Sequence, residues 1–132
     1  MTTTIDTFRF TAPAQQQCVR MLTNQEAFDA VIDEIIKEMS QPTGEDNSAY
    51  LYIVKNCYTI ELAIEFSAYY EHDWNTFEFG KFDFGDWHTE RLTNIKVLDC
   101  HKTYMVNGEE YDVDITLDTD KIEKIINKIK FE

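Results

Sequence analysis

The chain has 132 residues and a formal charge of −13, because 25 acidic side chains face only 12 lysines and arginines. A chain of this length matches one domain, and its 43% hydrophobic content with 9 Phe and 7 Tyr is typical of a packed globule rather than a disordered segment. The negative charge argues against nucleic acid or an anionic membrane as direct partner, since both require a basic surface. We therefore predict a single domain over residues 1–132 whose partners are basic.

The sequence also indicates a compartment. Residues 1–10 lack the apolar stretch of a signal peptide, and no apolar run approaches the ~20 residues that span a bilayer. Cys18, Cys57 and Cys100 are odd in number and lack CxxC spacing, which is typical of free thiols packed in the interior in a reducing compartment. We expect a soluble, cytoplasmic protein without a cofactor.

The first part of the chain predicts one strand and two helices. Residues 5–10 alternate apolar and polar side chains as a strand does, and Pro13 suits the first turn of a short helix over 13–22. A capping box of Thr23 and Glu26 then begins a second helix with one apolar stripe. That stripe consists of Phe28, Val31, Ile32, Ile35 and Met39.

From residue 49 the sequence has the two-residue period of strands. Residues 49–55 and 58–70 flank Asn56 and Cys57 and predict a first hairpin. The second of these strands has a dry face formed by Tyr58, Ile60, Leu62, Ile64 and Phe66. Residues 76–84 predict a second hairpin that turns at Gly80. Its four aromatic side chains fall on one side and are Phe77, Phe79, Phe82 and Phe84.

A third hairpin and a helix complete the chain. Asn107 and Gly108 form a strong two-residue turn signal between strands over 93–106 and 109–117. Residues 120–132 predict a helix that opens with a capping box of Asp120 and Glu123. Its apolar stripe consists of Ile122, Ile125, Ile126 and Ile129.

The order of elements, β-α-α-β6-α, predicts an α+β fold. It contains an antiparallel sheet of about six strands built from three hairpins, with helices packed on one face and the other face at least partly wet. This order resembles that of the helix-grip, lipid-binding folds. The resemblance implies an alternative function, a small-molecule or lipid binder with a cavity between the apolar sheet face and the helix over 24–39.

Residues 109–120 carry six carboxylates and no base. With a two-residue turn at Asn107 and Gly108, Glu110 lies opposite Met105, Asp112 opposite Thr103 and Asp114 opposite His101. Tyr111 faces Tyr104 on the other side, which we expect to be core. This row has two interpretations. A strand face in contact with water is ordinarily polar, which explains why polar residues alternate with apolar ones. Binding to a basic partner would also explain why all the charges of the row are negative.

Nucleic-acid mimicry would need more than this one row of charges. Carboxylates on the same face of a strand lie about 6.6 to 6.8 Å apart, whereas each DNA strand offers a charge per ~3.4 Å of axis. A second row would therefore be required. The candidate partner-binding residues are Glu110, Asp112, Asp114 and Asp118, with Glu61 and Glu65 for the second row.

The four phenylalanines of the second predicted hairpin have two interpretations. They fill the core under the helices, as aromatic side chains chiefly do, or they form an exposed patch that mediates partner binding or a homodimer.

Candidate catalytic and metal-binding residues are few. Glu71, His72 and Asp73 crowd three possible ligands together, but consecutive residues of a strand point to opposite faces, so they chelate one metal only from a loop. The same holds for residues 86–88. His101 is expected to be an exposed partner of Asp114, with its pKa raised by that carboxylate. The chain lacks GxSxG, P-loop, GxGxxG and HExxH motifs.

The pattern as a whole favours a non-enzymatic acidic protein, without a bound metal, that docks a basic and nucleic-acid-binding protein. In charge and size it is similar to small acidic proteins of phages and mobile elements that block host defence nucleases, which implies an inhibitor of such a protein. A metal-dependent hydrolase centred on His72 and Asp73 is a third hypothesis beside the helix-grip carrier.

Overall fold

The computed structural model describes residues 21–72 and 85–131. The elements in these ranges are α1 (Gln25–Met39), β1 (Asp46–Lys55), β2 (Tyr58–Glu71), β3 (Asp86–Val106), β4 (Glu109–Asp114) and α2 (Thr119–Ile126). The strands form one antiparallel sheet in the order β1-β2-β3-β4. The α+β class and the antiparallel sheet are thus confirmed. No helix in the described residues is long and apolar enough to cross a membrane.

The predicted count of six strands and the predicted order of helices are not supported. The described residues contain four strands, and β3 begins at Asp86 and runs without interruption to the turn before β4. The predicted strand over 5–10, the hairpin over 76–84 and residues 13–20 of the first helix lie outside the described residues. The end of that helix is wrong, because Met21 forms a parallel bridge with Thr116.

Helix α1 begins one residue later than the predicted capping box. Asn24 is the N-cap, and its Oδ1 accepts a hydrogen bond from the backbone N–H of Ala27 at 2.9 Å. Glu26 does not close a box on Thr23; its Oε1 instead accepts from Nδ2 of Asn56 at 2.7 Å. Because Asn56 also donates to Asn24 at 3.0 Å, the turn between β1 and β2 holds the start of the helix.

Helix α2 differs from its prediction in the same way. Its N-cap is Asp118, whose Oδ1 accepts from the N–H of Lys121 at 3.1 Å, so the capping box of Asp120 and Glu123 is wrong. The helix ends at Ile126 rather than near residue 132. Asn127 follows it and bonds both backbone groups of Leu92, accepting its N–H at 2.8 Å and donating to its carbonyl at 3.3 Å.

The core lies between the helices and one face of the sheet, which we call the inner face. The predicted stripe of α1 is buried apart from the half-buried Ile32, and Ile122 and Ile126 of α2 are fully buried. The strand residues of the inner face are Leu51, Ile53, Tyr58, Ile60, Leu62, Ile64, Phe66 and Leu92. The dry face predicted for β2 is therefore confirmed. Thr89 joins the layers, because its buried hydroxyl donates to the carbonyl of Met39 at the end of α1.

Strand β3 keeps one face on the core only because it contains irregularities. Its pairing with β2 shifts register between Glu61 and Leu62, between Glu65 and Phe66, and between Ser67 and Ala68. Each shift leaves one residue of β3 without an opposite partner, as in a β-bulge, and reverses the alternation of side chains. The inner positions of β3 are consequently spaced by two or three residues and are Thr89, Leu92, Ile95, Val97 and Cys100.

Candidate protein-binding face

The other side of the sheet, the outer face, is turned away from both helices. In the described residues no helix packs on it, and its edge strand exposes Tyr50, Tyr52 and Val54 to 59, 60 and 60%. The functional candidates on this face are Tyr50, Tyr52, Glu61, Asp99, His101, Asp112 and Asp114. It combines carboxylates with large exposed side chains, so it is not a purely charged surface.

The register predicted for the acidic strand is confirmed at every pair. Asn107 and Gly108 have φ angles of 52° and 81°, as a type I′ turn requires. Glu110, Asp112 and Asp114 accordingly lie opposite Met105, Thr103 and His101, with Tyr111 opposite Tyr104. The expectation that the other side of this strand is core is wrong for β4, because Tyr111 remains 49% exposed.

The carboxylates of β4 continue across the sheet into β3 and β2. Glu61 lies directly opposite Asp99 in the middle of the outer face. Side chains paired in this way have Cβ atoms about 4.5 to 5.5 Å apart, closer than neighbours along one strand. Two like charges at that separation are unfavourable unless a counter-charge approaches them.

Two of the other predicted residues lie elsewhere. Glu65 is also on the outer face, but it faces Asn94, four residues further along β2 from the pair of Glu61 and Asp99. Asp118 is the N-cap of α2 and lies beyond the end of β4, so it does not continue the acidic row. The predicted interface aromatics Phe77, Phe79, Phe82 and Phe84 lie outside the described residues.

His101 connects the carboxylates of β3 and β4. Its Nδ1 lies 3.2 and 3.1 Å from the two oxygens of Asp99, and its Nε2 lies 4.0 Å from Oδ1 of Asp112. The hydrogen bond with Asp99 raises the pKa of His101 above its ordinary 6.5, burial opposes the rise, and Asp112 and Asp114 add to it. The predicted direction is confirmed, but the close partner is Asp99 and not Asp114, which faces His101 only in register.

Tyr50 and Thr103 supply hydroxyl groups to these carboxylates. The Tyr50 hydroxyl donates to Oε2 of Glu61, which raises the pKa of the tyrosine. The Thr103 hydroxyl donates to Oδ1 of Asp112 at 2.8 Å. Glu61 and Asp112 are thus held in place by neutral donors, which keep the negative charge of the face.

In the described ranges, 21–72 and 85–131, no lysine or arginine nitrogen lies within 4.0 Å of a carboxylate. The ion pairs found there use histidines, His88 with Glu71 and His101 with Asp99 and Asp112. Lys102 instead lies over the rings of Tyr58 and Tyr104, at 5.2 and 4.9 Å from their centres. Within the described residues, the carboxylates of the outer face therefore have no ion-pair partner other than His101.

The candidate metal ligands are only partly described. Oε1 of Glu71 lies 2.9 Å from Nε2 of His88, and His72 lies edge-on to Tyr70, with 4.9 Å between the ring centres. Asp73 lies outside the described residues. The positions over 86–88 belong to strand β3 and not to a loop. No group of three or more His, Cys, Asp or Glu side chains that could hold a metal occurs in the described part of the chain.

Two of the cysteines are described. Cys100 is buried as predicted, and burial, followed by the charges of Asp99 and Asp114, raises the pKa of its thiol to about 11. Cys57 does not fill the core: it is exposed in the turn between β1 and β2 with a φ of 69°. Cys18 lies outside the described residues.

The space between α1 and the inner face is filled by side chains. Val31, Ile35, Leu62 and Ile64 meet there with no exposed surface. A cleft of about 280 Å³ opens at the end of the layers, near the C-terminal turn of α1 and the start of β3. Its lining includes Ile36, Pro42, Trp87, Ile129 and Phe131.

No family model, curated protein or solved structure matches this chain significantly. The candidate site is therefore defined by its own geometry. That geometry adds Tyr50, Tyr52 and Asp99 to the residues found by sequence reasoning. The predicted pairing of His101 with Asp114 is a signal that could have placed Asp99 on the outer face, because residues two apart on a strand share a face.

Proposed function

We propose that this protein is a non-enzymatic acidic binding protein whose outer face docks a basic surface of another protein. The observation that carries the proposal is the uncompensated charge of this face: Glu61 faces Asp99, and Asp112 and Asp114 follow on the next strand, with no lysine or arginine within 4.0 Å in the described residues. Such a one-signed field accelerates encounter with basic partners and repels polyanions.

The exposed tyrosines support protein binding over a purely solubilising role. Tyrosine is enriched in protein interfaces, where its ring supplies buried area and its hydroxyl a hydrogen bond. Tyr50 and Tyr52 stand beside Glu61, so apolar area and charge would be covered by the same partner.

A nucleic-acid-binding protein is the partner class that we favour. Carboxylates on three adjacent strands, spaced by about 4.7 to 4.9 Å between strands, approach the charge density of a nucleic-acid backbone more closely than one row does. We infer that the protein inhibits such a partner by occupying its basic surface, as a phage or mobile-element protein directed against a host defence protein would. Such a partner implies action in the cytoplasm.

The filled interior supports this proposal over the helix-grip carrier. A carrier needs space for its ligand between helix and sheet, and Val31, Ile35, Leu62 and Ile64 occupy that space with no exposed surface.

The test is a pull-down from lysate at low salt and at ~0.5 M salt, because exposed charge contacts weaken as the Debye length shrinks. We compare the wild type with Asp112→Lys/Asp114→Lys. The matched control, Asp29→Lys/Asp33→Lys, makes the same change of net charge on exposed positions of α1. Both variants are first checked for native circular dichroism.

The proposal expects a basic protein that is captured by the wild type and by the control, is lost at high salt and with the β4 variant, and is displaced by added DNA. A partner that resists salt and binds both variants equally would refute docking through the outer face. A partner that depends on salt and on β4 but is indifferent to DNA would refute only the inhibition of nucleic-acid binding.

A further inference from the structure

We propose that strand β1 is a docking edge: an extended segment of the partner pairs with it as an additional strand and places an arginine over Tyr52. This inference rests on the proposed function and specifies the kind of basic segment that the outer face recognises.

The hydrogen-bonding groups on one edge of β1 are free in the described residues. Asn56 and Cys57 form a two-residue turn with φ angles of 51° and 69°, and Lys55 pairs with Tyr58. In such a hairpin the two residues that flank the turn form two backbone hydrogen bonds with each other, and alternate residues along the strand do the same with their partners. The residues between them point their N–H and C=O away from the partner strand. The residues with outward groups are Ser48, Tyr50, Tyr52 and Val54. In the described part of the chain no backbone hydrogen bond reaches them from outside the strand pair.

In the part of the chain that the structure describes, this edge also lacks the usual protection against added strands. Natural sheets protect exposed edges with charged side chains, proline or bulges. Residues 48–54 contain neither a charge nor a proline, and β1 pairs with β2 without any register shift, so the edge is regular. The charged residues of the strand, Asp46 and Lys55, lie only at its two ends.

A row of side chains across the sheet defines the chemistry of the added strand. On the outer face Tyr52, Glu61 and Asp99 lie side by side on β1, β2 and β3. A residue opposite Tyr52 on an added strand would be two strand spacings from Glu61, about 9.4 to 9.8 Å. An arginine at that position spans the distance by lying across the ring of Tyr52, where a cation–π contact and the two carboxylates both favour its guanidinium.

The neighbouring row of side chains indicates that the added strand carries one arginine and not several basic residues. The residue opposite Tyr50 meets a row that continues through Ala63 to Lys96, which offers no carboxylate and carries a positive charge at its far end. We therefore expect one essential arginine at the Tyr52 position and a neutral residue at the Tyr50 position.

Charge also decides between a partner segment and a second copy of this chain. A second β1 paired with the first would bring another Glu61 and Asp99 into the same sheet, and like charges across an interface are unfavourable. A segment with an arginine instead compensates the charges of Glu61 and Asp99, which no lysine or arginine of the described residues approaches within 4.0 Å.

The experiment titrates ¹⁵N-labelled protein with the peptide acetyl-Val-Thr-Val-Arg-Val-Thr-Val-amide and follows the backbone amides by NMR. We expect the largest shifts and new protection from hydrogen exchange at Ser48, Tyr50, Tyr52 and Val54. A peptide with Glu in place of Arg should bind at least about tenfold more weakly, because its charge opposes Glu61 and Asp99. A peptide N-methylated at alternate residues, which cannot pair with the strand, should not bind.

Protein variants test the row itself. Glu61→Gln and Tyr52→Thr should each weaken binding of the arginine peptide by about three- to tenfold, since they remove the carboxylate or the ring. Asp33→Asn, on the exposed side of α1, is the control that also removes one carboxylate charge, and it should leave binding unchanged.

Three results would overturn the inference: shifts centred on β4 instead of β1, binding that survives N-methylation, or the same amides protected by protein concentration alone, which would mean that a second copy occupies the edge. Absence of peptide binding at millimolar concentration would also overturn it. If the salt-dependent partner of the pull-down were retained in that case, docking on the outer face would stand and only the strand-addition mode would fail.

Discussion

Strand β2 turns Ile60, Leu62 and Ile64 towards the helices and Glu61 and Glu65 towards solvent, so that one backbone carries two opposite surfaces. On the inner face Ile60, Leu62 and Ile64 are fully enclosed by neighbouring side chains, so substitutions there change the stability of the fold. On the outer face the carboxylates keep most of their hydration, so their charge is tolerated there and is available to a partner. The comparison indicates that substitutions on the two faces should separate folding from binding.

The largest expected effect is on the inner face. Leu62 is fully buried and pairs with Leu51 and Val97, so Leu62→Ala should lower the free energy of unfolding by about 2 to 5 kcal/mol through lost transfer energy and a residual cavity. Urea unfolding measures the change. The outer-face control Glu65→Ala should alter stability by less than about 0.5 kcal/mol. Equal effects of the two substitutions would contradict the separation of the faces.

A smaller effect tests how the helix layer is held against the inner face. Asn24→Ala removes the N-cap of α1 and its link to Asn56, and should cost about 1 to 2 kcal/mol in thermal or urea unfolding. Thr23→Ala, at the cap position suggested by the sequence, serves as the control and should change little. If Thr23→Ala proved the more damaging substitution, the start of α1 would be misassigned.

The smallest effect belongs to the outer face and depends on pH. Because Asp99 raises the pKa of His101 in the folded protein, the stabilisation from its protonation is fully present below about pH 6.5 and is lost as pH rises through the folded-state pKa. At pH 5.5 the free energy of unfolding of the wild type should exceed that of His101→Gln by less than about 1 kcal/mol. The difference should disappear at alkaline pH. Urea midpoints across this range measure it.

NMR titration provides an independent check of that pH dependence. The pKa of His101 should lie above 6.5 in the wild type and fall in Asp99→Asn, whose amide can no longer stabilise the imidazolium by charge. An unchanged pKa in that variant would show that Asp99 is not the principal partner.

Local patterns predicted the parts of this fold whose determinants are close in sequence. The stripe of α1, the dry face of β2 and the pairing of Glu110, Asp112 and Asp114 all follow from a fixed period or from a two-residue turn. The helix caps are Asn24 and Asp118, and not the predicted residues, because neighbouring polar side chains compete for the same backbone N–H groups. Which side chain caps the helix depends on contacts such as the hydrogen bond between Asn24 and Asn56.

The candidate site was less predictable than the elements that carry it. Asp112 and Asp114 were found from their alternation alone, and the same alternation places Asp99, two residues before His101, on their face. Only the pairing of β3 with β2 sets Asp99 opposite Glu61. Tyr50 and Tyr52 were placed on a strand, but nothing local to residues 49–55 indicates that this strand forms a sheet edge with its tyrosines in solvent.

The sequence by itself determined the class of fold, the negative charge, the turns at residues 56–57 and 107–108, and the apolar side of each regular strand, because these follow from composition, turn residues and periods of two and 3.6 residues. Only the tertiary structure decided which strands are neighbours, where β3 reverses its alternation, and that Glu61, Asp99, His101 and Asp112 share one surface. The physical reason is that strand pairing joins residues distant in the chain, and the burial of the whole inner face selects the register that places these charges together.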